Sequence, residues 1–163
     1  MYDFVLDAML GKEARWLRVL GYSVFYSPEA DDNELIKVAS KDNSILITKD
    51  LMLFRRAIKE NVKCICIKSN NVESFLKTLK RKIRLRLKID LNLTRCPLCN
   101  GILSRISSDE VIGLVPNLIA NKYTIFLKCN NCGHIYWPGT HLKRMEELLK
   151  KVVNDGEIES KRG

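Results

Sequence analysis

The first half of the chain alternates short apolar runs with longer stretches in which apolar residues recur at helical spacing. The short runs predict four buried strands, over residues 2–6, 23–26, 44–48 and 62–67. The longer stretches predict helices over residues 12–20, 33–40, 51–60 and 73–83. Strands that alternate with helices in this way are typical of a parallel sheet with helices on both faces. The pattern therefore predicts an α/β domain with a central, mostly parallel sheet.

The pattern changes after the fourth helix. From Ile83 to Leu93, apolar residues alternate strictly with polar ones, which predicts either an edge strand or an extended connector with one basic face. We place the domain boundary in this stretch and predict a first domain over residues 1–90 and a second over residues 91–149. Residues 150–163 are charged and lack aromatic side chains, so we expect a flexible tail there.

Four of the six cysteines form two pairs with Cys-x-x-Cys spacing: Cys96 with Cys99, and Cys129 with Cys132. These pairs are called the first and second knuckles. Gly101 and Gly133 follow them and would permit the tight turns that point both thiolates of a pair at one ion. Four thiolates fill a tetrahedral Zn²⁺ shell, so the pattern predicts a closed, structural zinc site. Two redox-active pairs are the alternative, but a thioredoxin-like setting is missing.

The segment between the knuckles is expected to hold a small helix and a strand. Ser107 and Glu110 have the spacing of a helix-capping box, and Pro116 is expected to bend or end that helix. Residues 123–128 predict a strand that returns to the second knuckle.

Composition indicates a folded and soluble protein. Apolar residues make up 46% of the 163 residues, which is enough for a core. No apolar run reaches the roughly 20 residues needed to span a bilayer, and the N-terminal segment lacks the layout of a signal peptide. We therefore expect a cytoplasmic protein without a membrane partner, in which Cys64 and Cys66 are small core residues. The sequence leaves the oligomeric state open.

Charge favours a polyanionic partner. The net charge is +9 and the isoelectric point lies near 9.3. Seven of the twelve residues from Lys77 to Lys88 are Lys or Arg, and none is acidic. Such runs are often solvated faces, but the sign bias here favours contact with phosphate.

Aspartates recur where predicted strands end and helices begin. Asp7 ends the first strand, Asp31 and Asp32 open the helix after the second, and Asp50 follows the third. Because the carboxyl ends of parallel strands converge on one crevice, we expect these carboxylates to lie together. Mg²⁺ or Mn²⁺ would relieve their repulsion and could activate water for phosphodiester hydrolysis. The alternative is that the aspartates only cap helices.

Three of these segments resemble the mut-seven C-terminal RNase domain family, which belongs to the PIN-like nucleases. They are residues 7–22, Ala30-Asp31-Asp32 and Thr48-Lys49-Asp50, and the resemblance extends over about residues 2–145. Members of the family join a PIN-like three-layer domain to a zinc ribbon, so the resemblance implies the same fold here. It also implies a hydrolase, a Mg²⁺- or Mn²⁺-dependent ribonuclease. Its acidic ligands would be Asp7, Asp32 and Asp50, with Asp31 as a further catalytic candidate.

The resemblance also implies that Lys12, Arg15 and Arg18, on the first helix, are candidate phosphate contacts. Arg84 and Arg86 are further candidates from the basic run, and His141 and Arg144 from a stretch after the second knuckle that also matches the family. Ordinary solvated charge is the alternative for the helix residues, above all for Arg18. The aromatic residues Tyr136 and Trp137 could stack on RNA or pack between domains instead.

Two positions depart from the family pattern. Glu13 stands where the family usually has an apolar residue, and Ser69-Asn70-Asn71 stands where PIN-like nucleases often carry a further acid. We therefore expect one tightly held catalytic metal, with a second that binds weakly or only together with substrate. The predicted function is an endoribonuclease that acts on structured RNA such as an rRNA or tRNA precursor. The alternative is a non-catalytic RNA-binding adaptor with a degenerate PIN-like domain. A toxin-type ribonuclease is disfavoured, because a separate zinc module suggests sustained RNA handling.

Overall fold

A computed structural model describes residues 1–160, with side chains described as far as Asp155. The chain divides into two compact units, one of Met1–Asn100 and one that begins at Gly101. The predicted boundary after residue 90 marks the change of hydrophobic pattern. The residues that follow it, as far as Asn100, nevertheless belong to the first unit by their contacts.

The first unit is built on a four-stranded sheet in which every neighbouring pair of strands is parallel. Its strands are β1 (Phe4–Leu6), β2 (Val24–Tyr26), β3 (Ile45–Thr48) and β4 (Cys64–Cys66), in the order β2-β1-β3-β4. The register aligns Leu6 with Tyr26 on one side and with Ile47 on the other. The carboxyl ends of β1, β2 and β3 therefore lie level with one another.

Helices follow the strands in the predicted order. They are α1 (Gly11–Val19), α2 (Asp32–Asp42), α3 (Leu51–Lys59) and α4 (Val72–Ile83). Val5 and Leu46 of the sheet pack in a buried cluster with Leu35 of α2 and Leu53 of α3. Because side chains alternate along a strand, Phe4 points to the opposite face, and it is buried there. The predicted α/β fold with a parallel sheet is confirmed.

The end of α1 is fixed by its sequence. Gly21 has φ +95°, a left-handed conformation that an L side chain rarely adopts. The N–H of Gly21 donates to the carbonyl of Arg18, and the N–H of Tyr22 donates to that of Leu17, both at 3.0 Å. These bonds form a Schellman motif, which satisfies carbonyls that the last helical turn would otherwise leave unpaired. The helix predicted over residues 12–20 therefore ends at Gly21.

The alternating stretch after α4 is an extended connector. Arg84 has φ +53° and ends the helix, and residues 84–90 form no strand. Leu85 is buried, whereas Arg84, Arg86 and Lys88 are exposed, so the basic residues of this stretch face solvent. The N–H of Arg86 donates to Tyr22 Oη at 2.9 Å and holds the connector against the turn after α1.

The second unit has a three-stranded antiparallel sheet in the order β5-β6-β7. Its elements are β5 (Leu103–Ile106), α5 (Asn117–Lys122), β6 (Phe126–Cys129), β7 (Ile135–Tyr136) and α6 (Thr140–Ser160). Val111, Val115 and Phe126 form a small core, and Trp137 packs against it. Strand β6 corresponds to the predicted strand that returns to the second knuckle.

The predicted helix after Ser107 is shorter than expected. The capping box forms, because the N–H of Ser107 donates to Glu110 Oε2 at 2.8 Å and the N–H of Glu110 donates to Ser107 Oγ at 3.4 Å. It caps only one 3₁₀ turn, Asp109–Val111. Pro116 precedes α5 instead of bending or ending a helix. Proline suits that position, since the first turn of a helix leaves its N–H groups unpaired.

Helix α6 continues to Ser160, through much of the segment for which a flexible tail is predicted. The last three residues of that segment lie outside the described part of the chain. In the part that is described, no helix combines the length and the apolar character required to cross a bilayer.

Candidate active site and metal centre

The carboxyl end of the parallel sheet places two of the predicted acidic residues beside each other. Asp7 directly follows β1, and Thr48 is the last residue of the neighbouring strand β3, with Asp50 two residues further on. The N–H of Asp7 donates to the carbonyl of Ile47 at 3.1 Å, so sheet pairing extends as far as Asp7.

A buried threonine links the two aspartates. Thr48 Oγ1 donates to Asp7 Oδ2 at 2.7 Å and accepts from the N–H of Asp50 at 2.9 Å. Thr48 is completely buried. Its acceptor role towards Asp50 directs the hydroxyl proton towards Asp7, and this fixes the orientation of the Asp7 carboxylate. Sequence reasoning missed Thr48 as a site residue, although a polar side chain at the end of an apolar strand was a visible signal.

A second contact network shapes the turn after Asp7. The N–H of Leu10 donates to the carbonyl of Asp7 at 2.9 Å, and Tyr26 Oη donates to the carbonyl of Ala8 at 3.0 Å. A Cβ atom on Gly11 would lie 2.5 Å from Tyr26 Oη. Gly11 is therefore required for the close approach by which β2 supports this turn.

Two of the predicted ligands also cap helices. Asp50 Oδ1 accepts from the N–H of Met52 at 2.6 Å and from that of Leu53 at 3.1 Å. Asp31 Oδ1 accepts from the N–H of Glu34 at 2.8 Å. The capping alternative therefore describes Asp31 and Asp50 correctly, but each cap uses only one carboxylate oxygen. Asp32, the first residue of α2, is exposed.

The four aspartates do not form a compact ligand set. Among the described residues, the only group of three or more His, Cys, Asp or Glu with ligand atoms within 4.8 Å of one another is the set of four knuckle cysteines. Mg²⁺ is commonly bound by one or two carboxylates, with water and substrate oxygens filling the remaining positions. The donor chemistry of Asp7 and Asp50 suits such an ion.

The segment after β4 offers no replacement acid. Asn71 caps α4, because its Oδ1 accepts from the N–H of Ser74 at 2.8 Å. Asn70 is exposed. Ser69 Oγ is buried, and within the described part of the chain it has no hydrogen-bond partner. Glu13, the other departure from the family pattern, is only 6% exposed on α1.

Six of the seven predicted RNA contacts are accessible. Exposed side chains are found at Lys12 and Arg15 on α1, Arg84 and Arg86 in the connector, and His141 and Arg144 in the first two turns of α6. Lys12 and Arg15 are three residues apart and so share one face of α1.

Arg18 is the exception. It is only 5% exposed, and its guanidinium donates to the carbonyls of Pro97, Leu98 and Val24, each at 3.0 Å. This burial rules out the alternative that Arg18 is a solvated charge. A guanidinium held by three backbone carbonyls is not available to a phosphate, so we exclude Arg18 from the candidate RNA contacts.

The four knuckle cysteines form one cluster. The sulfur atoms of Cys96, Cys99, Cys129 and Cys132 all lie within 4.8 Å of one another. Tetrahedral coordination with Zn–S bonds of about 2.3 Å would place the sulfurs about 3.8 Å apart. Both the donor set and the spacing therefore fit a structural zinc ion. Cys96 and Cys129 are buried, and Cys132 is exposed.

The turn residues of the knuckles differ from those predicted. After the second knuckle, Gly133 has φ +74°, as its position suggested. After the first knuckle it is Asn100, not Gly101, that is left-handed, with φ +66°. Asparagine tolerates this conformation better than most residues. Its side chain is also used, because Asn100 Oδ1 accepts from the N–H of Val24 at 2.9 Å.

These features define a mixed α/β protein with a parallel sheet and a separate four-cysteine cluster. The model of the Mut7-C RNAse domain family matches residues 2–149. The chain therefore belongs to that family, and the resemblance seen in the sequence is confirmed. No curated protein and no solved structure matches the chain. The family name supports a nuclease-like function with RNA as the class of partner.

Proposed function

We propose that this protein is a cytoplasmic, divalent-metal-dependent endoribonuclease that hydrolyses phosphodiester bonds in structured RNA. The observation that carries the proposal is the hydrogen-bonded link from Asp7 through Thr48 to Asp50 at the carboxyl end of a parallel sheet. Ligands bind at this end of open α/β sheets. Thr48 fixes the carboxylate of Asp7 and the backbone of Asp50, and a divalent cation would offset the repulsion between the two carboxylates.

In this proposal Asp7 and Asp50 would hold Mg²⁺ or Mn²⁺ directly, and the exposed Asp32 would contribute as a third ligand through a bound water. The bound ion would supply an activated water and neutralise charge that develops on the phosphate. Thr48 orients the Asp7 carboxylate through Oδ2 and leaves Oδ1 for the metal side. The caps at Asp31 and Asp50 each use Oδ1, so the second oxygen of each side chain remains for ligation. Asp31 would assist Asp32 at the start of α2.

The positive residues would hold the RNA backbone. Lys12 and Arg15 lie on the helix that follows the Asp7 turn, and they are the candidates nearest in sequence to the proposed site. Arg84, Arg86, His141 and Arg144 are exposed and would add further phosphate contacts. A net charge of +9 supports this type of partner. Several separate phosphate contacts suit a folded substrate such as an rRNA or tRNA precursor.

A non-catalytic RNA-binding adaptor is the second candidate. It is favoured by two observations: Asp31 and Asp50 both cap helices, and Asn71 caps α4 in the segment where PIN-like nucleases often carry a further acid. In this alternative the aspartates stabilise helix ends, and the basic residues alone would carry the function.

Cleavage of labelled RNA by the full chain distinguishes the two. We expect structured RNA to be cut with Mn²⁺ or Mg²⁺ and to remain intact with EDTA. Asp7→Asn should lower the single-turnover rate by about a hundredfold or more, because charge stabilisation at the reacting phosphate is lost. RNA affinity should be unchanged or slightly higher. Glu29→Gln, an exposed acid close to Asp31 in sequence, is the matched control and should cut normally.

Each outcome decides between the candidates. Binding without cutting in either metal favours the adaptor. Cutting that persists in EDTA contradicts the metal dependence, and Asp7→Asn that cuts at the wild-type rate contradicts the proposed site.

A further inference from the structure

Arg18 is a buried cation that the proposed RNA cleavage does not use. It lies in the last turn of α1 and is only 5% exposed. Its Nη1 atom donates to the carbonyls of Pro97 and Leu98, and Nη2 donates to the carbonyl of Val24. Pro97 and Leu98 are the two residues between the cysteines of the first knuckle. The guanidinium therefore holds the backbone of that knuckle directly.

The charge of Arg18 has no carboxylate partner. In the part of the chain that the structure describes, no acidic side chain forms an ion pair with it, and its Nε atom has no hydrogen-bond acceptor. Burial lowers the pKa of Arg18, while the nearby thiol groups of Cys96 and Cys99 act in the opposite direction. A buried charge is normally paired, because its transfer out of water is costly. The expected counter-charge is thus absent from the protein's own carboxylates.

A zinc ion bound by four thiolates would supply that counter-charge. Four thiolates at −1 each and one Zn²⁺ give the cluster a net charge of about −2. The carbonyls of Pro97 and Leu98 bring the Arg18 guanidinium to the knuckle that carries Cys96 and Cys99. Charge complementarity and backbone contact therefore point to the same partner.

We propose that Arg18 is the positioning and charge-balancing residue of the zinc centre: it holds the first knuckle in its ligating shape and offsets the negative charge of the tetrathiolate cluster. The inference rests on zinc in the four-cysteine cluster and does not depend on RNA cleavage. It assigns to the end of α1 a role in metal binding.

Further hydrogen bonds connect the end of α1 to the residues that precede the first knuckle. The N–H of Arg95 donates to the carbonyl of Arg18 at 2.9 Å, and Thr94 Oγ1 donates to the carbonyl of Val19 at 2.9 Å. On the far side of the knuckle, Asn100 Nδ2 donates to Ser23 Oγ at 3.1 Å. The backbone is thus held on both sides of Cys96 and Cys99. Arg95 Nη1 also donates to the carbonyl of Asn100 at 3.2 Å, but Arg18 is the buried cation of this set.

The test is zinc affinity of the full chain, with Arg18→Gln and Arg18→Lys compared. Removal of an outer partner of a metal site typically lowers affinity by about tenfold to a hundredfold. We expect a loss of this size for Arg18→Gln, measured by competition for Zn²⁺ with a chromophoric chelator. Arg18→Lys keeps the charge and should recover part of the loss. Arg15→Gln removes an exposed charge three residues earlier on the same helix and should leave zinc affinity within about twofold of wild type.

A merely structural role gives a different result. Thermal unfolding of zinc-loaded and zinc-stripped protein separates the two, because coupling between Arg18 and zinc must be reciprocal. If Arg18 acts on the zinc centre, Arg18→Gln lowers Tm more in the loaded protein than in the stripped protein. Equal losses in both forms, or zinc affinities of Arg18→Gln and Arg18→Lys within twofold of wild type, would overturn the proposal.

The Co²⁺-loaded protein gives a third readout, since a distorted thiolate shell changes its charge-transfer bands. If Arg18→Gln does not fold, the zinc affinity of Arg18→Lys and its Tm in the loaded and stripped forms decide the test.

Discussion

The cysteine cluster and the aspartates at the sheet end are both predicted metal sites, and they differ in how many roles each residue has. The four cysteines bring their sulfurs within 4.8 Å of one another. The aspartates instead divide their oxygens between helix caps, a threonine hydroxyl and solvent. A thiolate has few structural uses apart from metal or disulfide bonds, whereas a carboxylate also serves helix ends and turns. Spacing is therefore a sharper guide to a zinc site than to a magnesium site.

The largest effect is expected at the cysteine cluster. Cys96→Ser removes a buried thiolate and leaves the tetrahedral shell incomplete, so zinc content should fall from about one ion per chain to near zero after chelator dialysis. Atomic emission measures it. Cys64→Ser alters a cysteine of the sheet and should retain the full zinc content. A zinc-replete Cys96→Ser protein would show that the cluster is not the binding site.

A smaller effect is expected at the threonine that joins the aspartates. Thr48→Val preserves the shape of the side chain but leaves the Asp50 N–H and Asp7 Oδ2 without their partner. The unpaired groups should lower the free energy of unfolding by about 1–3 kcal/mol, measured by urea denaturation. Thr48→Ser keeps the hydroxyl and should lose less. If Thr48→Val is as stable as wild type, the hydrogen bonds of Thr48 to Asp7 and Asp50 do not stabilise the site.

The two roles of Asp50 can be separated by substitution. Asp50→Ala removes the cap of α3 and should lower the free energy of unfolding by about 0.5–2 kcal/mol, whereas Asp50→Asn keeps the cap. Under the proposed function, both variants lose cleavage. Urea denaturation measures the free energy of unfolding of each variant, and single-turnover cleavage of RNA by the same preparations measures its activity. If Asp50→Asn is stable and cuts normally, Asp50 is a cap alone and resembles the cysteines in having one role.

The smallest effect concerns a cysteine outside the cluster. Burial is the main cause that raises the pKa of Cys64 to about 12. Because the pKa is raised, the reactive thiolate is scarce at pH 8 and becomes abundant only as the pH approaches 12. Alkylation of Cys64 by iodoacetamide, followed by mass spectrometry of the zinc-loaded protein, should be slow at pH 8 and accelerate with pH. Rapid labelling at pH 8 would contradict the raised pKa of this thiol.

Much of the fold follows from local rules. The four parallel strands coincide with apolar runs, and the helix limits follow residues whose caps are encoded in the sequence, such as Asp31, Asp50 and Gly21. Local rules were weaker where one residue allows two geometries. Pro116 suits either the end of one helix or the start of another, and the structure uses the second. The alternating connector suited a strand equally well, but it forms none.

The missed site residues depend on partners distant in sequence. Thr48 contacts Asp7 across the sheet, and Arg18 contacts the first knuckle roughly eighty residues away. A signal for Arg18 was nevertheless present. It is four residues after Ala14 and adjacent to Leu17, on the stripe of α1 that is buried. An arginine on a buried stripe predicts that its guanidinium donates hydrogen bonds to other protein groups. Which groups accept them can be known only from the folded structure.

The first knuckle also protects the sheet. Strand β2 lies at its margin, where unpaired backbone groups are templates for association with another chain. Here the N–H of Val24 donates to Asn100, and the carbonyl of Val24 accepts from Arg18. Loss of zinc should weaken these contacts of Val24 and expose the edge of β2, which could then pair with a strand of another molecule. Light scattering of chelator-treated protein should therefore show self-association that Zn²⁺ reverses, so the metal would act as a safeguard against aggregation.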